Sequence, residues 1–424
     1  MSSSPTFPQE LFDLIIDETS TFNPEADRTH QLATLALVCK AFCDRAHRHL
    51  FASVKIVSRK SDGKPNRLKR VRQLYKLLKV ETSALASWIT SFTYTFWHAR
   101  DSKSEVAFIL RKLFNDYYEN VQRHRLLTPC FLSLEITARW LALGTDLGSA
   151  LFEVCHRQRL ASLTVSHLQH MPSNFFMHSY IKNLALHQIS WSEPLPKVSF
   201  EKIVKSREKE NTSNISPSHG ASSHVEMSPF IGLPNMKNLV FELNYGTAEV
   251  TVLQEILLTA SASLEFLDVR VGLSAISGIN PIPFNKLRRL RTLTIGQWAV
   301  LSGLSSTHRF LLEGTDFCPS LEEVEVHFIL RTDDLMAPAV PISHHSIAEY
   351  TAFDDLFSQP QFSQIRFLTF HVRVKIPNTL SRFAEEVLTP GEYVHRIRSC
   401  LPTISARHDM VFNVFIQLPD PELE

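Results

Sequence analysis

Leu264-Glu265-Phe266-Leu267-Asp268-Val269 carries the pattern that decides the fold of this chain. Its apolar residues stand at i, i+3 and i+5. The last two have the period of a strand and point to one side, while the first closes the turn that enters the strand. The same triplet recurs as Ile89-Phe92-Tyr94, Phe131-Leu134-Ile136, Leu160-Leu163-Val165, Ile181-Leu184-Leu186, Met236-Leu239-Phe241, Leu290-Leu293-Ile295, Leu321-Val324-Val326 and Ile365-Leu368-Phe370. Successive units begin 42, 29, 21, 55, 28, 26, 31 and 44 residues apart, so the middle spacings hold a strand with one short helix and the long ones need insertions. Residues 252–260 and 310–313 read as such helices. No single unit can cover its own apolar face, so stacked neighbours must do it. The expected class is α/β, with a curved sheet of parallel strands and helices outside.

The triplet resembles the L-x-x-L-x-L core of a leucine-rich repeat. The asparagine of the regular repeat is missing after most strands, so the resemblance implies an irregular solenoid, placed at residues 84–418. An α/β domain whose buried strands are simply rich in leucine is the other reading of the same residues. Within this region, residues 201–229 hold a Lys-Ser-Arg-Glu-Lys-Glu run and then Asn, Ser, His and Gly, with almost no large apolar side chain. Such a segment cannot bury enough to offset ordering entropy, and a disordered insertion is expected. The solenoid predicts that the chain continues across it, with Leu184 and Leu239 in neighbouring layers.

The second signal lies at the N-terminus. Phe7-Pro8-Gln9-Glu10-Leu11 puts a proline where a first helical turn accepts one, since its missing N–H has no intrahelical partner. Leu11, Leu14 and Ile15 follow on one helical face, and Asn23-Pro24 ends the pattern. Leu32, Leu35, Ala36, Cys39, Phe42, Cys43, Ala46 and Leu50 then recur three or four apart. Three short helices in so few residues bury little and are expected to lean on a partner or on the rest of the chain.

Phe-Pro-x-Glu-Leu followed by Val38-Cys39-Lys40-Ala41-Phe42 resembles an F-box over residues 7–52. The resemblance implies that Phe7, Pro8, Leu11, Ile15, Val38, Cys39, Lys40 and Phe42 meet the Skp adaptor. It also implies that the chain is a non-catalytic, substrate-recognition subunit of a cullin–RING ubiquitin ligase, its repeat region binding an unidentified protein target. Phe7 stands where Leu is usual, Phe42 where Trp is frequent, and residues 17–31 are longer than in compact F-boxes. Two other readings fit the residues: a repeat scaffold without ligase output, and an enzyme whose N-terminal helices only mimic an F-box. Residues 1–6 and 419–424 are read as flexible ends, and 53–83 as a basic helical linker.

Composition narrows the chemistry. With 44 Lys and Arg against 43 Asp and Glu, the net charge of +1 argues for no polyanionic partner. Glycine is scarce, and neither G-x-G-x-x-G nor G-x-x-x-x-G-K-[ST] occurs, so no cofactor is expected. Met1-Ser2-Ser3-Ser4-Pro5 lacks a basic residue and an apolar core, and no apolar run has membrane length; a cytoplasmic or nuclear protein is expected. Six scattered Cys with no C-x-x-C read as reduced packing residues. In that setting the sequons at Asn211 and Asn214 carry no glycan. Ser216-Pro217 and Ser228-Pro229 match the short pattern of proline-directed phosphosites.

No metal site is expected either. Cys39, Cys43 and His47 share a helical face, but three ligands along one straight helix cannot wrap a tetrahedral ion. His344-His345 and His167-x-x-His170 lack carboxylate or Cys neighbours at metal spacing, and no H-E-x-x-H or G-x-S-x-G occurs. Asp333-Asp334 and Asp354-Asp355 read as caps or solvated loops. Residues 55–79 hold ten Lys or Arg and one acid, Asp62, interleaved with Leu68, Val71, Leu74, Tyr75 and Leu78. That is the pattern of a solvated helix face, and without aromatic stacking motifs no nucleic-acid partner is expected.

Overall fold

The computed structural model describes residues 9–21, 25–56, 64–80, 85–96, 103–114, 130–157, 160–176, 179–192, 233, 235–243, 247–271, 284–297, 318–331, 344–375 and 389–418. The chain is α/β and divides into two compact units, Met1–Leu168 and Gln169–Glu424.

The first unit opens with α1 (Gln9–Ser20), α2 (Glu25–Ala36) and α3 (Lys40–Phe51). Ile16, Leu32, Phe42 and Ala46 form their core, with Phe12, Leu35, Ala36 and Leu50 packed around it. The Phe12 and Phe42 rings lie 4.9 Å apart and join α1 to α3. Charge joins the same helices: Arg45 Nε and Nη2 donate to the two oxygens of Asp17 at 2.8 and 2.6 Å, and His49 Nε2 lies 2.8 Å from Oδ1. The apolar periodicity of residues 32–50 is split in the structure. After Ala36 the chain turns through Leu37 and Val38, and Cys39 is extended (φ −161°, ψ 170°) before α3 begins. Without Gly or Pro at the break, the periodicity runs straight through it. Cys39 is consequently exposed at the helix start and not part of the packed stripe, while Cys43 is half-buried beside His47.

Next come β1 (Ser53–Ile56), α4 (Lys64–Lys79), α5 (Leu85–Trp88), β2 (Ser91–Phe96), α6 (Lys103–Phe114), β3 (Cys130–Arg139), α7 (Gly144–Cys155) and β4 (Leu160–Gln169). The strands lie in the order β1-β2-β3-β4, and β2 pairs in parallel with both β1 and β3. Residues 53–83, read from sequence as a linker, thus contribute a strand to this sheet. They also contribute α4, whose Val71, Leu74 and Leu78 are buried while Lys69, Arg70, Arg72, Lys76 and Lys79 face solvent. Within α4 these basic side chains are the solvated face of a packed helix, while Lys55 belongs to β1.

In the second unit the main strands are β6 (Asn183–His187), β8 (Asn238–Leu243), β9 (Phe266–Val271), β10 (Thr292–Gln297), β11 (Glu323–Arg331), β12 (Phe367–Lys375) and β13 (Val411–Gln417). They pair in that order and all in parallel; β5 (Met171–Pro172) and β7 (Trp191–Ser192) form a separate parallel pair. Leu184 lies directly opposite Leu239, so the sheet continues from one side of the polar insertion to the other, while the insertion itself lies outside the described residues. Parallel neighbours need a crossover, and α8 (Thr247–Ala260), α9 (His344–Phe357), α10 (Pro390–Ser399) and α11 (Pro402–Ala406) lie in such connections. Phe353 of α9 meets Phe370 edge to face, and Phe370 meets Phe328 and Phe412 in the same way, so aromatic rings join three strands to a helix.

One backbone device repeats at each strand entry. The carbonyls of Lys182, Lys237, Arg291 and Glu322 each accept two N–H groups from the next unit, as Lys237 does from Glu265 and Phe266 at 2.8 and 2.9 Å. The first residue of the triplet sits just ahead of this point, and Ile181, Met236, Leu264, Leu290, Leu321 and Ile365 are all buried. Phe131 departs from the pattern. Strand β3 already begins at Cys130, so Phe131 lies inside the strand on the face opposite Leu132, Leu134 and Ile136, and it is 45 % exposed.

Candidate functional site

Two surfaces among the described residues gather the candidate side chains. The first is on the N-terminal helices. Phe12 and Ile16 of α1 turn inward, leaving Leu11, Leu14 and Ile15 outward, and the turn before α3 leaves Leu37 and Val38 outward as well. These five apolar residues are between 42 % and 87 % exposed. Lys40 is exposed beside them in sequence, at the start of α3. Phe42 does not join this surface: it is 8 % exposed and belongs to the core. Phe7 and Pro8 lie outside the described residues.

The second surface is the polar face of the second unit's sheet. Strand alternation sends Leu267 and Val269 into the core and Asp268 and Arg270 to the other face. The register then lines up two rows. One runs Asp268, Thr294, Glu325, Thr369 and Asn413; the other runs Arg270, Gly296, His327, His371 and Phe415. Arg270 forks onto Asp268, with Nε–Oδ2 at 2.9 Å and Nη2–Oδ2 at 2.6 Å. Thr294 Oγ1 donates to Glu325 Oε2 at 3.4 Å, and His327 Nε2 stands 3.5 Å from that oxygen. The His327 and His371 rings stack at 4.3 Å, and His371 stacks on Phe415 at 5.2 Å. Burial and the adjacent His327 hold His371 below the ordinary imidazole range, with Glu325 opposing them. Gly296 supplies no side chain between Arg270 and His327, and a groove of about 390 Å³ opens over these rows, extending to Arg373 and Gln417. That volume suits a side chain or short segment of a partner.

No protein-family model matches this chain, and no curated protein matches it. His167 and His170 adopt positive φ (62° and 55°), and neither belongs to a cluster of metal-ligating groups among the described residues. Asp354 is a buried cap: its carboxylate accepts from Thr403 N at 3.0 Å and Ile404 N at 2.8 Å, at the start of α11. Asp333-Asp334 and the sequons lie outside the described residues. All six cysteines are free, and burial pushes the Cys155 thiol far up. Among the described residues no helix is long and apolar enough to cross a membrane.

The groove residues were not singled out from the sequence, although a signal for them exists. In the second unit each triplet's i+6 position falls on the polar face: His187, Glu242, Arg270, Gly296, His327 and His371. A column of polar or small residues at a fixed offset from an apolar triplet marks the open side of a stacked sheet. Glu242 and Asp268 are each more than nine-tenths buried on this side, with His187 Nδ1 3.5 Å from Glu242 and Arg270 on Asp268.

Proposed function

We propose that the chain is a substrate-recognition subunit of a Skp–cullin–F-box ubiquitin ligase, with the N-terminal helices docking on the Skp adaptor and an irregular leucine-rich-repeat-like sheet binding a protein target. The observation that carries this reading is the outward placement of Leu11, Leu14 and Ile15 on α1 and of Leu37 and Val38 in the turn before α3, in a helical unit that already has a core of its own. A small helical unit gains nothing by exposing five aliphatic side chains unless a partner covers them. The motif Glu10-Leu11 with Val38-Cys39-Lys40-Ala41-Phe42 names the kind of partner, and the polar groove supplies a surface for a target. The mechanism is proximity: the bound target's lysine is held near a ubiquitin-charged enzyme on other subunits, so an intermolecular step becomes effectively intramolecular. No residue of this chain need be catalytic.

The test is direct binding of purified chain to purified Skp adaptor by calorimetry. Micromolar or tighter binding is expected. Leu11→Ala or Val38→Ala should weaken it by roughly 1–3 kcal/mol, the range of interface anchors, with the far-ultraviolet spectrum unchanged. Absence of binding at micromolar concentrations removes the reading. Adaptor binding without recruitment of the cullin would instead favour a scaffold.

A further inference from the structure

We propose that Glu325, His327 and His371 form a site for a divalent transition-metal cation such as zinc, open toward the groove. Glu325 and His327 stand at i and i+2 on β11 and so leave the same face of the sheet. His371 lies directly opposite His327 on β12. One ligand atom from each of the three lies within 4.8 Å of the other two. Two imidazoles and a carboxylate are a donor set that borderline cations take. Metal–nitrogen bonds of about 2.0–2.1 Å place tetrahedral donors about 3.4 Å apart, so closing the site draws the donors in by about 1 Å and turns the two imidazole planes, which are nearly parallel in the stack, toward a common point.

The surroundings favour a built site over a chance meeting of side chains. Phe415, directly opposite His371 on β13, stacks on its ring at 5.2 Å, so an apolar ring backs one of the ligands. Thr294 Oγ1 holds one oxygen of Glu325 from the neighbouring strand, the kind of outer contact that orients a ligating carboxylate. Gly296, opposite His327 on β10, keeps the approach clear: a Cβ there would already stand 3.4 Å from Arg270 Cγ and 3.8 Å from His327 Cβ. Three protein donors leave at least one coordination position facing the groove, for water or for an acidic group of whatever occupies it. The site stands on the groove geometry alone and is independent of adaptor docking.

The untagged full-length chain, stripped with a chelator and exchanged into metal-free buffer, is titrated with Co²⁺ alone and then with Zn²⁺ alone. One saturating equivalent of Co²⁺ is expected, with visible absorption that one equivalent of Zn²⁺ removes. His327→Ala, His371→Ala and Glu325→Gln should each weaken binding by more than about tenfold. His371→Gln retains a polar planar group in the stack, so it gives an answer if the alanine variant loses the fold. His395→Ala, on an exposed residue of α10, should bind like the parent. Failure to saturate at one equivalent, or parent-like binding by a folded His371→Gln variant, overturns the site.

Discussion

At the residue scale, two carboxylates carry the clearest energetic consequences. The Arg45 guanidinium fork and His49 hold Asp17 down at about 2. A depressed folded-state value contributes stability above the unfolded carboxylate range, and that contribution is lost as pH falls toward the folded value. The contacts between α1 and α3 should therefore weaken between about pH 4 and pH 2. Because Asp17 is partly exposed, solvent screening keeps the effect small. Asp17→Asn should flatten the acid limb of a stability-against-pH curve measured by urea denaturation. Asp354 is the buried counterpart. Asp354→Ala strands two N–H donors at the start of α11, and a loss of about 1–3 kcal/mol is expected in the same assay. A loss under about 0.5 kcal/mol would show that water replaces the carboxylate.

At the scale of the element, the decisive property is which face of a strand a residue takes. Phe131 and Leu132 are adjacent in β3, one exposed and one buried. Leu132→Ala should cost about 2–5 kcal/mol, since it opens a cavity in the sheet's core. Phe131→Ser should stay within about 0.5 kcal/mol, and near-equal losses would refute the register described for β3. The same alternation explains α1 by its own period. Phe12 and Ile16 lie one turn apart on the inward face, whereas Leu11, Leu14 and Ile15 are left outside. Leu14→Glu should accordingly leave the helical spectrum intact.

For the whole molecule, the apolar helical patch and the polar groove lie in different compact units, so variants should separate their roles. Leu14→Glu should abolish calorimetric binding of the Skp adaptor. Arg373→Glu, at the groove, should bind the adaptor as the parent does. Loss of adaptor binding in the folded Arg373→Glu protein would mean that the two surfaces are not independent.

What the sequence determined by itself was local and periodic. Apart from Phe131, which lies inside β3 and closes no turn, the i, i+3, i+5 triplets placed the strands because strand alternation and the turn entering each strand are written in adjacent residues. They placed Leu184 and Leu239 in neighbouring layers across a long polar insertion, and the two residues lie directly opposite each other. Of the basic run at residues 55–79, the part over 64–79 was legible as a solvated helix for the same reason, since its period is its own, whereas the strand at Ser53–Ile56 was not. The tertiary structure decided everything that depends on register between strands and on where a helix breaks. No local signal marks the turn at residues 37–39, which exposes Cys39 and sets Leu37 and Val38 outward, because it contains neither Gly nor Pro. His327 and His371 are 44 positions apart in the chain and become stacked neighbours only because β11 and β12 pair in that register. Hydrophobic periodicity fixes the side of the sheet to which a residue belongs; the hydrogen-bonded alignment of distant strands fixes which residues meet there, and that alignment produced the groove.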